Sequence, residues 1–199
     1  MSRKEILLSG AGGQGVLFMG NIVSLSAIQT GKKVVTNPTY GSAVRGGEVK
    51  CGVVISDEEI YDPVVDDADI VIALNEASLK RFGFKVKEDG TLLCDASENA
   101  ATITASFNKR FHLISIPFRD LGPERYYNMI AMGVLSKIDL DLNIDLLKGA
   151  LVKEMEKRGR ENLLEENLKA IQAGTDWYLR EKTIQKGKGG DKINVSNGI

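Results

Sequence analysis

Histidine and tryptophan occur once each in the 199 residues, cysteine twice and proline four times. With His112 the only histidine, a histidine-built metal site has no second ligand to draw on. The cysteines, Cys51 and Cys94, are far apart and show no C-x-x-C spacing. They cannot supply the four thiolates that an iron–sulfur cluster takes, and they read as small buried hydrophobes. Excess charge is also missing: the formal net charge is −1, so nothing draws the whole molecule to nucleic acid or to an anionic membrane. No apolar run approaches the length of a membrane helix, and MSRKE is followed by only three apolar residues, too few for a signal peptide. The expectation is a cytoplasmic protein without nucleic acid or membrane partners.

What the chain does have is 43% hydrophobic and 27% charged residues, enough for one sizeable α/β core with little room for a second domain. Its most informative stretch is Ile6 to Ile28, ILLSGAGGQGVLFMGNIVSLSAI. A short apolar strand runs into a glycine turn and then a helix, the opening of a nucleotide-binding type of α/β unit. Gly10 permits the tight turn, Gly12 a close approach of ligand or neighbouring backbone, and Gly15 close packing of helix on strand. The helix, roughly 14–30, is apolar on most sides and ends at Gly31, suited to a left-handed cap. A dinucleotide site also wants an acidic residue about 20 positions past the glycines. Here the first is Glu48, beyond a loop, so the glycines serve packing or another anionic ligand better than NAD.

Lys33 to Thr36 reads as a second strand and Asn37 to Gly47, NPTYGSAVRGG, as a long loop of the kind that carries function. Glu48 to Ser56 follows as a strand, near an edge because of Glu48 and Lys50. Asp69 to Leu74 is a buried strand, with Asn75 capping a helix over 76–82. Further strands are expected over 91–94 and 112–116, with a polar connection over 105–109. Helices are expected over 124–136, 144–157 and 161–182. Residues 1–182 then form a single Rossmann-like α/β domain with a mainly parallel sheet and helices on both faces, and 183–199, Gly- and Lys-rich, a flexible tail. Ligands on such sheets bind beyond the carboxyl ends of the strands, where Gly10–Gly15 and Asn37–Gly47 would meet.

Catalytic side chains do not stand out. His112 reads as a surface or satisfied core residue, and Asp57, Glu58, Glu59, Asp66 and Asp67 as solvated turn charge. Arg45, among small residues, could pair with phosphate or carboxylate or form a salt bridge to a neighbouring loop or subunit. Tyr40 could stack on a ring or pack under the loop. Arg119 reads as a surface ion pair and Asn128 as a polar residue at a helix contact.

Taken together, GAGGQGV at 10–16, NPTYGSAVRGG at 37–47, VVISDEEI at 53–60, YNMIAMG at 127–133 and ENLKAIQAG at 166–174 resemble the gamma subunit of 2-oxoacid:ferredoxin oxidoreductases. The 2-oxoglutarate type is nearest, with the pyruvate, branched-chain and indolepyruvate types as alternatives. The resemblance implies a Rossmann-like layer on the catalytic subunits of an enzyme that converts a 2-oxoacid to acyl-CoA. That enzyme uses thiamine diphosphate with Mg2+, iron–sulfur clusters and coenzyme A, and passes electrons to ferredoxin. No catalytic residue and no cofactor is assigned to this chain alone; its partners are alpha, beta and small ferredoxin-like subunits. Carried over as ligand-side or interface residues are Gly10, Gly12, Gly13, Gln14, Gly15, Tyr40, Gly41, Arg45, Gly46 and Gly47. Ser42-Ala43 depart from relatives, which often have a proline and an acidic residue there.

Overall fold

The structure is a computed structural model, and it describes residues 3–41, 47–97 and 99–187. Among these residues six strands form one sheet: β1 Arg3–Ala11, β2 Lys33–Tyr40, β3 Glu48–Ser56, β4 Ala68–Ala73, β5 Val86–Asp95 and β6 His112–Ile116. Their order is β2-β3-β1-β4-β5-β6. β1, β4, β5 and β6 run parallel, while β3 is antiparallel to both of its neighbours, β1 and β2. The sheet is therefore mixed but mainly parallel, as the alternation of elements predicts. β1 lies at its centre, which is why Ile6, Leu7 and Leu8 are buried without alternation.

Seven helices complete the described fold: α1 Val16–Ile28, α2 Glu76–Phe82, α3 Ala100–Ala105, α4 Phe118–Leu121, α5 Tyr127–Ile138, α6 Ile144–Lys157 and α7 Leu164–Gly187. One face of the sheet presents Ile6, Leu8, Val53 and Ile72 to a core shared with α1, α5, α6 and α7. The other presents Leu7, Val54, Val71 and Leu92 to the shorter α2 and α3. The single-residue offset between the two sets is the strand period of two. α5 and α7 approach so closely that a Cβ on Gly133 would overlap the Ile171 carbonyl oxygen, and one on Gly174 the Ile130 carbonyl oxygen. Backbone-to-backbone contact of this kind needs glycine in both helices.

Several expectations are corrected. Asn37 to Tyr40 are not loop but the second half of β2, in register with Val49 to Gly52. Pro38 is tolerated because β2 is the edge strand, where a missing donor costs no ladder bond. β3 is accordingly not at the edge; Glu48 and Lys50 mark only its half-buried beginning, and Cys51 to Ser56 are buried. α3 was not expected, since AATITA is short and has no apolar period. α7 runs to Gly187, so the first five residues of the expected tail are helical, and 188–199 lie outside the described residues.

Local signals fare well elsewhere. Asn75 accepts from Ser78 N at 2.8 Å and starts α2 where the cap predicts. Gly31 adopts φ 79° behind α1. Cys51 and Cys94 are buried in different cores on opposite faces of the sheet. Desolvation pushes the thiol pKa of Cys51 up to about 11 and that of Cys94 up to about 12. No helix among the described residues is long and apolar enough to cross a membrane.

Candidate functional site at the carboxyl edge of the sheet

The turn after β1 meets the β2–β3 hairpin directly. Gly12 N donates to Gly47 O at 2.9 Å, one step beyond the Ala11–Glu48 pair of the ladder. Across the hairpin, Gly41 N donates to Glu48 O at 2.7 Å. The two stretches singled out in the sequence thus form one continuous surface, with Gly12 serving the approach of neighbouring backbone. Gly12 and Gly13 are exposed there, and Gly13 takes φ 98° with open space where a side chain would stand. Tyr40, two-thirds exposed, ends β2 on the same rim. Arg45 and Gly46, with Ser42 to Val44, lie outside the described residues.

Gln14 is turned inward. Its Oε1 accepts from Ala11 N at 2.8 Å and from Asn75 Nδ2 at 2.7 Å, and its Nε2 donates to Glu124 Oε1 at 3.1 Å. These bonds tie the end of β1 to the start of α2 and to the 3-10 turn Glu124–Tyr126 that opens α5. β1 and β4 are where the chain path reverses across the sheet, the usual crevice for a ligand in such folds. Here the Gln14 amide fills that crevice, and Leu74 N closes on Ser9 O at 3.0 Å beside it. Gly10 makes room for this arrangement: a Cβ would stand 2.9 Å from Gln14 Oε1 and 2.8 Å from Val16 Cγ2. Gly15 was expected to pack helix on strand. It packs on α5 instead, at φ 73°, where a Cβ would overlap the Asn128 amide nitrogen.

Two cavities flank this plugged turn. One, of about 540 Å³, is lined by Gly15, Phe18, Arg125, Tyr126, Asn128, Met155, Arg158, Arg160, Leu163 and Asn167. Its arginines come from local structure. α6 ends in a Schellman turn, with Gly159 at φ 60°, Gly159 N donating to Glu156 O at 3.0 Å and Arg160 N to Met155 O at 3.0 Å. That turn places Arg158 and Arg160 on either side of the glycine, and Arg125 joins them from the 3-10 turn before α5. The R-G-R run at 158–160 was the available sequence signal.

The other cavity, of about 530 Å³, is lined by Glu76, Asp95, Ala96, Ser97, Asn99, Pro117, Arg119 and Asp120 beyond the ends of β5 and β6. Desolvation raises the Asp95 carboxyl above the usual range, against the pull of Arg119. Burial likewise raises the Tyr127 phenol, with the Asp95 charge adding to it. His112, on β6, is exposed away from both cavities.

No cluster of three or more His, Cys, Asp or Glu suited to a metal ion occurs among the described residues. The two cysteines, on opposite sheet faces with raised thiol pKa values, do not fit a cluster either.

The family model described as pyruvate ferredoxin/flavodoxin oxidoreductase matches residues 5–177. The chain belongs to that family. Among its relatives, the 2-oxoglutarate synthase subunit KorC of Methanocaldococcus jannaschii is 32% identical over 178 residues, 86% of this chain and 92% of KorC. The ketoisovalerate oxidoreductase subunit VorA of Methanothermobacter marburgensis is 34% identical over 87% of this chain. The chain spans only about a third of the length of that relative, 36%. Among solved structures, the gamma subunit of a keto/oxoacid ferredoxin oxidoreductase from Geobacter sulfurreducens superposes with TM-score 0.70 at 28% identity, covering 89% of this chain and 99% of that one. A 2-oxoglutarate:ferredoxin oxidoreductase from Magnetococcus marinus, solved with 2-oxoglutarate, coenzyme A and succinyl-CoA bound, shares the fold with TM-score 0.74. At 23% identity, 90% of this chain aligns with 32% of that one. The gamma-subunit resemblance read from the loops and the family match agree over most of the chain.

Proposed function

We propose that the chain is the gamma-type subunit of a multi-subunit 2-oxoacid:ferredoxin oxidoreductase, with 2-oxoglutarate the favoured 2-oxoacid. The assembled enzyme decarboxylates the 2-oxoacid, transfers the acyl group to coenzyme A and passes the electrons to ferredoxin. Thiamine diphosphate, Mg2+ and the clusters belong to the alpha, beta and ferredoxin-like subunits, in keeping with the cysteine chemistry here. This chain supports assembly and the coenzyme A side.

One observation carries the reading: the Gly12 N to Gly47 O bond, which joins the two family-like loops into a single rim. The exposed, left-handed Gly13 next to the start of α1 leaves open space for the approach of an anionic co-substrate, and Tyr40 offers a flat surface on the same rim. In this reading Gly10, Gly12, Gly13, Gly15, Gly41, Gly46 and Gly47 shape the rim, Tyr40 and Arg45 meet the ligand or a neighbouring subunit, and Gln14 positions the turn. The plugged β1/β4 crevice speaks against a free NAD(P)-binding protein, because the dinucleotide's usual place is taken by the Gln14 amide.

The test is reconstitution. The chain alone gives no 2-oxoacid-dependent ferredoxin reduction, and adding it to the remaining subunits restores turnover; turnover by the pure chain with thiamine diphosphate would overturn the assignment. In the assembled enzyme, Tyr40→Ala and Arg45→Ala raise KM for coenzyme A. An unchanged KM in both would reduce the rim to a packing surface.

A further inference from the structure

The hollow beyond the ends of β5 and β6 holds polar groups that the fold itself does not use. Asp95 ends β5, Ala96 N donates to Ile116 O at 2.8 Å to close it onto the end of β6, and Pro117 leads the chain into α4. That path sets Arg119 and Asp120 next to each other in the lining. The other two lining carboxylates are already engaged. Glu76 accepts from Lys80 Nζ at 2.6 Å and from Asn99 Nδ2 at 3.0 Å. Asp95 accepts from the backbone NH groups of Phe118 and Ala96. Asp120, by contrast, forms no ion pair among the described residues. Nor does Arg119, which is attracted by Asp95 and donates to the Tyr127 hydroxyl. Ser97 lines the same hollow, and its Oγ is buried with no hydrogen-bond partner. Such a hydroxyl is costly to leave unpaired, and a bound group that accepts from it removes that cost.

A positive and a negative charge thus stand side by side, each without an ion partner, on a hollow of about 530 Å³. The size is that of a small-molecule site, and the place is the sheet edge where ligands of such folds bind. The carboxylates are not grouped to hold a metal ion. We infer that the hollow seats a free α-amino acid with a small apolar side chain. Its carboxylate takes the Arg119 fork, with the Ser97 hydroxyl as a further donor, and its ammonium lies against Asp120. A zwitterion meets both charges at once, whereas a plain anion or a plain amine meets one and is opposed by the other. No extra charge is needed on the ligand, because Lys80 already balances Glu76. Its side chain is left to the apolar part of the wall, Ala96 and Pro117. Neither coenzyme A nor a partner subunit enters this site, so it stands or falls apart from the function proposed above.

The experiment is calorimetric titration of the full chain with L-valine, isovalerate and isobutylamine. The second is valine without its ammonium and the third valine without its carboxylate. Valine binds with a Kd below about 1 mM, and each truncated analogue binds at least about tenfold more weakly. Arg119→Gln and Asp120→Asn each weaken valine binding by roughly ten- to a hundredfold. Asp120→Asn is the safer of the two for folding, since Asp120 is exposed and Arg119 also holds Tyr127. Asp66→Asn removes equal charge from a carboxylate that is paired with Lys85 outside the hollow, and it leaves binding unchanged. Absence of valine binding overturns the assignment, as does valine binding that survives Asp120→Asn. Isobutylamine binding as tightly as valine would make the hollow a plain cation site, and isovalerate doing so a plain anion site; either result also overturns it.

Discussion

Two cavities of nearly equal size, about 540 and 530 Å³, flank the turn after β1, and they carry opposite charge. The first gathers Arg125, Arg158 and Arg160 around the start of α1. The second sets Glu76, Asp95 and Asp120 against a single arginine, Arg119. Between them stands Gln14, whose amide closes the central crevice. A glycine fingerprint therefore does not by itself say where a ligand sits. Gln14 takes the place where a dinucleotide would lie and leaves two peripheral hollows, and their charge decides what each can hold.

The comparison breaks most readily at Gly15, which walls the basic cavity. Gly15→Ala forces a side chain into a left-handed backbone and onto the Asn128 amide, so it should cost about 2–4 kcal/mol by urea denaturation. A loss below about 1 kcal/mol would mean that α1 and α5 do not meet as described. Gln14→Ala comes next. It removes the plug and strands Ala11 N in a partly buried turn, with an expected cost of about 2 kcal/mol and faster amide exchange at Ala11 and Ser78. Unchanged exchange would show that Gln14 does not couple the turn after β1 to the start of α2.

A smaller effect is expected on the acidic side. Asn75→Ala removes the cap of α2 as well as one bond to Gln14, about 1 kcal/mol, and the double variant with Gln14→Ala should cost less than the sum. Strict additivity would show that the two side chains do not share a network. The smallest effect, and the one of opposite sign, is Asp95→Asn. Desolvation raises the folded pKa of Asp95, so the native state holds its proton to higher pH than the unfolded chain. Stability contributed by that proton is present below the unfolded pKa and is lost as pH rises through the folded one. Asp95→Asn should remove this loss, raising Tm slightly at neutral pH and flattening the profile above the usual carboxylate range. A variant less stable than the parent at neutral pH would show that Arg119 pairing outweighs burial.

How much of this was legible depends on the range of the interaction. The strand around Ile6, the cap at Asn75 and the stop at Gly31 were legible because each rests on residues within one or two turns of itself. Pro38 was misread as a loop marker, since a proline is compatible with a strand only at a sheet edge, and which strand is the edge is not a local property. The same ignorance put Glu48 to Ser56 at the rim rather than inside. α3 lacks the period that betrays longer helices. Gly15 was assigned to the right kind of role, close packing, but against the wrong neighbour. The basic cavity went unnoticed because Arg125 and Arg158 are 33 positions apart, and each alone looks like ordinary surface charge.

The sequence by itself determined the α/β alternation, the central apolar strand, the glycine turn and the family to which the chain belongs, because periodicity, caps and turn residues act over a few positions. Only the tertiary structure decided that Gln14 fills the crevice, that the two loops share a rim through Gly12 and Gly47, and that three arginines meet beside Gly15. Those outcomes depend on which elements the sheet order and helix packing bring together. Packing is a cooperative property of the whole core, which no short window of residues contains.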